Sequence, residues 1–302
     1  MLHEVNDFLF QCRARGLSEK TIKSYKNVTT AFVLWLNENH EINQVEQVRK
    51  THIQNYLKEK LDEGRKTKYV NSILKVLRAF FVFLELDEYI IKNPVEKVRF
   101  VKEEKRIIEV YTDSEVMSLI GAYDDIDYLS IRNKTIIALQ VDTGIRCSET
   151  IDIKLSDILD DRIIIHGKGK KIRTVPISIE MSKLLRKYMK VKSNYYTANN
   201  VSENLFISRT GRPLTVEAIE RIYKFAGNKA NITRSIRISP HTSRHYYAVK
   251  MLQSNDIYTV SKLLGHGSVK ITEVYLSSIT NDRLIDKGRI TSPLTSIRNN
   301  RL

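Results

Sequence analysis

The last third of this 302-residue sequence gathers His241, Arg244, His245, His266 and Tyr275. Upstream stand Arg146, within Gly144-Ile145-Arg146-Cys147-Ser148-Glu149, and Lys168, within Gly167-Lys168-Gly169-Lys170-Lys171. These residue types suit metal-free cleavage of a phosphodiester. That reaction needs a nucleophile, fixed cations on the non-bridging oxygens and a proton donor for the leaving oxygen. Tyr275 can attack phosphorus, but a free phenol with a pKa of about 10 needs a base or cations beside it. Arg146 and Arg244 stay charged and present forked donors that match two phosphate oxygens. Lys168, in a basic turn, suits protonation of the leaving 5′ oxygen, and Lys170 or Lys171 can take that place. His241 and His266 suit proton traffic and the remaining phosphate oxygen. Each residue also has an ordinary reading. Tyr275 is one of 15 tyrosines and stands at helical spacing from Ile271, as a core residue would. His241 and His245, four apart, could share a metal on one helix face, but no third ligand of suitable spacing accompanies them, and no metal is expected. The Gly-Lys-Gly turn lacks the pattern of a nucleotide-binding loop.

These residues need a scaffold, and the hydrophobic periodicity supplies one. Leu2, Val5, Phe8, Leu9 and Cys12 form one helical stripe that Gly16 ends, and a second helix follows Ser18 with Ile22, Tyr25, Val28, Phe32, Trp35 and Leu36 buried. Thr51 with Gln54 reads as a capping box ahead of Ile53, Tyr56, Leu57 and Leu61, with Gly64 as the stop. Val70, Ile73, Leu74, Leu77, Phe80, Phe81 and Leu84 make the fourth helix, and Asn93-Pro94 closes the unit. Residues 95–110 are charged and weakly periodic and read as the interdomain linker. The expected domains are therefore 1–97, helical, and 111–302, which carries the reactive residues and a C-terminal tail, around a linker at 98–110.

The second half is mixed α/β. Thr112 and Glu115 form a capping box, Ile136 to Val141 lie in a helix ending at Gly144, and residues 162–166 and 172–176 form a hairpin around the Gly-rich turn. Helices are expected near 179–190 and 215–226, with a short strand at 205–208. Further helices are expected from His241 to Gln253, Val260 to Leu264 and Val269 to Leu276. The fold class is mainly α with a small β-sheet.

Composition points to the partner. Fifty Lys+Arg against 35 Asp+Glu give a net charge of +15, with a positive surplus in both halves. That is the footprint of a protein that neutralises phosphates. Lys20, Lys23 and Lys26 lie along one helix, and Arg65, Lys66, Lys68, Lys75 and Arg78 cluster near another. They read either as solvated faces or as contacts to a DNA backbone. Lys170, Lys171 and Arg173 of the hairpin join that DNA-facing set. No apolar run reaches the ~18 residues of a membrane span, the N-terminus lacks a secretion signal, and two distant cysteines make no disulfide framework. A reducing cytoplasm is the expected compartment.

The order Arg, Lys, His-x-x-Arg, His, Tyr resembles the active-site signature of the tyrosine recombinases, the integrase and Xer-type enzymes. Gly144 to Glu149 matches their first Arg box, and Lys168 the lysine of their inter-strand turn. His241 and Arg244 match the His-x-x-Arg pair. Leu264-Gly265-His266, nine residues before Tyr275, matches the last box and the nucleophile. The N-terminal helices are similar to the family's core-binding domain, so the resemblance spans the chain.

It implies a two-domain, C-shaped clamp on duplex DNA and a 3′-phosphotyrosyl intermediate formed without metal, ATP or any cofactor. It also implies assembly as a homo-oligomer, with four protomers at a synapse. The chain begins directly with the four-helix unit, which favours the simpler recombinases without an arm-binding domain. Leu276, Ile279, Leu284 and Ile285 read either as a face that docks on a neighbouring protomer or as a frayed tail. Ser243 departs from the apolar residue the family places before its second Arg, and Tyr246 and Tyr247 from the small residues that commonly follow the next His. These departures support a competing reading, a recombinase fold acting as a DNA-binding regulator. A type IB topoisomerase shares the chemistry, and the compact Xer-like spacing argues against it.

Overall fold

A computed structural model describes residues 1–103, 108–167, 171–196 and 201–278. The chain divides into two compact units, Met1–Lys105 and Arg106–Leu302.

The first unit is four helices, α1 (Leu2–Ala14), α2 (Glu19–His40), α3 (Lys50–Asp62) and α4 (Thr67–Leu86). Their apolar stripes meet in one core, where Phe8 packs against Tyr25, Phe80 and Phe83, and Phe32 against Trp35, Tyr56 and Phe81. Ser18 caps α2 by accepting from the Thr21 amide. The capping box expected at Thr51 is absent: α3 starts two residues earlier, with Arg49 as its cap, and the Arg49 amide donates to His52 Nδ1 at 3.1 Å. A histidine in the third helical position does the work assigned to a glutamine.

The linker boundary also needs correction. Val95 and Val98 are buried in the first core, and Asn71 exchanges two hydrogen bonds with the backbone of Val101, each 2.9 Å. Arg78 donates to the Val98 carbonyl at 2.6 Å and lies over the Phe100 ring. Residues 95–101 thus belong to the first unit. Three valines among charges are too few to register as a periodic element.

The second unit comprises α5 (Asp113–Gly121), α6 (Tyr128–Thr143), α7 (Cys147–Asp152), strands β1 (Arg162–His166) and β2 (Ile172–Pro176), α8 (Ile179–Tyr195), α9 (Val216–Lys229), α10 (Pro240–Ser254) and α11 (Ile257–Leu264). The capping box of Thr112 and Glu115 opens α5 with both reciprocal bonds. Helix α6 has no exposed residue and packs on α8 and α10, which makes it the axis of the unit. The strands pair antiparallel from Arg162 opposite Pro176 to His166 opposite Ile172, with Ile163, Ile165 and Val175 turned into the core.

No strand forms over 205–208. Side chains take its carbonyls instead: Tyr188 and Lys192 donate to Leu205, and Tyr128 and Arg132 donate to Ile207. What pairing the segment has is single bridges, Lys154 with Asn204 and Ile207 with Pro213. The helix expected over 269–276 is two 3₁₀ turns, Val269–Ile271 and Glu273–Ser278. Among the described residues no helix is long and apolar enough to cross a membrane.

Candidate active site

The site is assembled at the ends of helices. Helix α6 ends at Gly144 in the left-handed conformation, φ +62°, where a Cβ would lie 2.3 Å from the Tyr247 ring. Only glycine fits both the turn and the contact. The chain then re-enters helix at once, placing Arg146 at the cap of α7 and Glu149 within its first turn. Glu149 accepts from the Arg146 amide and from Arg146 Nη1, each at 2.8 Å. From β2, Arg173 reaches the same carboxylate through both Nη atoms at 2.9 and 2.8 Å. Burial pushes Glu149 up, but the Arg173 hydrogen bonds and the Arg146 amide outweigh it and hold it at about 2. It is a buried anion at every ordinary pH.

The C-terminus of α11 collects the cations. A helix end leaves carbonyls without partners and carries partial negative charge. Here Leu263 O accepts from Arg173 Nε at 3.0 Å, Leu264 O from Arg244 Nη2 at 2.8 Å, and Gly265 O from Arg146 Nη2 at 3.2 Å. The other fork of Arg244 donates to Gly144 O at 2.6 Å, tying the end of α6 to the end of α11. Arg244 is 5 % exposed, whereas the Arg146 side chain is 41 % exposed and accessible to an incoming anion. Burial and the nearby Arg146 lower Arg244 to about 10, so it remains cationic at neutral pH.

Gly265 closes α11 at φ +65° and delivers His266, whose Nδ1 pairs with buried Thr272 Oγ1 at 2.7 Å. Burial and the three arginines lower His266 to about 4. Tyr275 is buried in a small core with Tyr247, Val260 and Leu264. Burial raises its phenol above the ordinary value, with Arg244 and Arg146 pulling the other way. Its hydroxyl lies 2.9 Å from His245 Nδ1. His241, one turn earlier on α10, is lowered by burial and by Arg244, and its ring centroid is 6.0 Å from that of His245. The groups gathered here supply two forked cations, three imidazoles and a hydroxyl.

Arg146, Arg244, His266, His241 and Tyr275 are thus brought together, while Lys168 and Lys170 lie outside the described residues. Arg173 is not a DNA-facing residue: its guanidinium is turned inward onto Glu149 and Leu263, because a buried carboxylate in that position demands a second cation. The partner of Tyr275 is His245, one turn along α10 from His241. Nothing in the spacing separates the two histidines, since both lie on one face of α10. Glu149 stood in the first box without a role, and only the fold shows that it organises two arginines. Ser243 is fully buried and pairs with the Tyr223 hydroxyl at 2.9 Å, and Tyr246 donates to Asp113 at the same distance, so both departures are accommodated beside a seated Arg244. No group of three or more His, Cys, Asp or Glu suited to a metal occurs among the described residues.

On the first unit Lys20, Lys23, Lys26, Arg65, Lys66, Lys68 and Lys75 are exposed, as is Lys171 on the hairpin. Arg78 is only half-exposed and lines a groove of about 720 Å³ with Lys50, Lys58, Lys97 and Arg99.

Comparison with known proteins places relatives on both units. Residues 109–281 match the phage integrase family, and residues 6–88 the phage integrase N-terminal SAM-like domain. The chain is 29% identical over 289 residues to the tyrosine recombinase XerD of Oceanobacillus iheyensis, covering 94% of this chain and 96% of that protein. It is also 29% identical over 264 residues to XerD of Staphylococcus haemolyticus, covering 86% and 88%. Its fold is similar to that of XerH site-specific recombinase bound to palindromic difH substrate in a post-cleavage complex, with TM-score 0.75, 21% identity and 92% and 81% of the two chains covered. A lambda integrase dimer bound to a COC' core site gives TM-score 0.73 at 19% identity over 91% and 94%. With more than half of its length matched by the catalytic-domain model, the chain belongs to the phage integrase family.

Proposed function

We propose that this protein is a tyrosine-type site-specific DNA recombinase, which cleaves and rejoins duplex DNA through a 3′-phosphotyrosyl link. The observation that carries the reading is the shared helix end. Arg146 and Arg244 donate to the consecutive carbonyls of Gly265 and Leu264, and Tyr275 packs in the same small core as Leu264. A cation pair fixed before substrate arrives needs no reorganisation during reaction, which is where such sites draw most of their rate.

Tyr275 attacks the scissile phosphate, its oxygen bonds to phosphorus, and the bond to the 5′ oxygen breaks. Arg146, Arg244 and His266 hold the phosphoryl oxygens, and His241 assists at the same centre. Lys168 protonates the leaving oxygen, a role assigned by its place in the motif. The phosphotyrosine conserves the bond energy, so a 5′-OH of the partner duplex reverses the step without ATP. The exposed cations of the first unit, Lys20, Lys23, Lys26, Arg65, Lys66, Lys68 and Lys75, with Lys171 and the motif neighbour Lys170, contact the DNA backbone. Four protomers and two DNA sites form the synapse in the cytoplasm, and the product is the integration, excision or resolution of a mobile element or replicon.

The test is a denaturing gel. DNA flanking the native gene, nicked beside candidate cleavage positions, is incubated with wild type and with Tyr275→Phe. An adduct that survives denaturation in the wild type alone is expected. DNA that binds but never forms an adduct would overturn the enzyme reading in favour of a regulator.

A further inference from the structure

The hydroxyl of Tyr275 meets an imidazole that the motif does not include. The contact joins Tyr275 to His245, one residue beyond Arg244 on α10, at 2.9 Å between hydroxyl oxygen and Nδ1. The rings lie 5.4 Å apart between centroids, and both side chains are drawn into the fold. The geometry points to His245 as the base that takes the proton of Tyr275 when the phenol attacks phosphorus. This inference rests on the proposed recombinase reading and adds a catalytic residue to it.

The argument is one of reach and charge. A general base must lie within about 2.6–3.2 Å of the proton it removes. Among the described contacts, His245 is the group that touches the hydroxyl. The surroundings of His245 are its helix neighbours His241 and Arg244 and, from the turn after α11, Tyr275 itself. Burial first, and then His241 and Arg244, hold it at about 4, so its ring is uncharged at neutral pH and one nitrogen is bare. With the proton on Nε2, Nδ1 accepts from the phenol. So weak a base cannot ionise a tyrosine at rest, which keeps the nucleophile silent without substrate. A scissile phosphate between Arg146 and Arg244 changes the balance. Its negative charge offsets the guanidinium field that depresses His245, and the forming O–P bond acidifies the phenol. The proton passes from the Tyr275 oxygen to His245 Nδ1 as that oxygen bonds to phosphorus and the 5′ oxygen leaves with a proton from its own donor. In rejoining, the 5′-OH attacks the phosphotyrosine and His245 returns the proton to the departing phenol oxygen. His241, at 6.0 Å from His245 between centroids, then serves the phosphate and not the phenol.

Single-turnover adduct formation on nicked DNA separates this role from one of packing. Asn places an acceptor oxygen where Nδ1 stands but cannot take up a proton. His245→Asn and His245→Ala are each expected to slow adduct formation by about 10²–10⁴ with DNA affinity retained. Replacing Tyr275 by a fluorinated, more acidic tyrosine should recover much of that loss, because a phenol that ionises readily needs less help. A wild-type rate in His245→Asn, or a defect unchanged by the fluorinated tyrosine, would overturn the inference while leaving the recombinase reading intact. Absence of adduct from wild type itself would instead overturn the recombinase reading.

Discussion

The protein uses its cations in two opposite ways. On the four-helix unit, Lys20, Lys23, Lys26, Lys68 and Lys75 stand exposed on helix faces. Around the end of α11, Arg146, Arg173 and Arg244 are held by named carbonyls and by one buried carboxylate. The first arrangement gives attraction that is summed over many charges, tolerant of any one loss and sensitive to salt. The second gives direction. A guanidinium fixed in a partly dry site is worth more to a developing phosphorane than several exposed lysines, because its orientation is settled in advance. Arginine fills the fixed positions because its planar fork can bind carbonyls and still face an anion, which an ammonium cannot do.

Substitutions can break this contrast, beginning with the carboxylate. Glu149→Ala removes the buried anion that pairs with Arg173 and Arg146 and should cost about 3–5 kcal/mol of stability, read as a lower denaturant midpoint. Glu149 also gives the fixed cluster a pH signature. Its carboxyl sits at about 2 in the fold against an ordinary 4.5, so its stabilisation is complete above 4.5 and is lost as pH falls towards 2. Acid titration of unfolding should show that loss in wild type and not in Glu149→Gln. Next comes Arg244→Lys, which keeps the charge but loses the fork. Adduct formation should fall about 10²–10³-fold while DNA affinity changes little. Gly144→Ala sharpens the role of the helix ends. The clash with Tyr247 and the positive φ should cost about 1–3 kcal/mol, measurable by thermal unfolding. The smallest effect belongs to the exposed set: Lys23→Ala should reduce the slope of log affinity against log salt by about 1, with the rate on bound DNA unchanged.

How much of this was legible in the sequence follows the same division. Periodic apolar stripes place α1 to α4 and the hairpin, and Ser18 and Thr112 announce their helices because capping is a local interaction. The motif order names most of the cluster. Arg173 is misread because a basic residue in a hairpin looks like a DNA contact until Glu149 is seen beneath it, 24 positions away. His245 is missed because one face of a helix offers two histidines, and the choice between them is made by the path of the Glu273–Ser278 turn. Residues 205–208 look like a strand because their side chains are apolar, yet their carbonyls are taken by Tyr188, Lys192, Tyr128 and Arg132 from elsewhere in the fold. These three misreadings share a cause: each depends on a partner remote in sequence.

The end of α11 has one more consequence. Its three successive carbonyls serve three arginines that come from α7, β2 and α10. Adding or removing one residue in α11 turns those carbonyls by about 100° around the helix axis. All three guanidinium contacts would then be lost together. Substitutions on the exposed side of α11 leave the carbonyls in place, so the helix can drift in composition but not in length. Its residue count acts as the gauge against which the reacting groups are set.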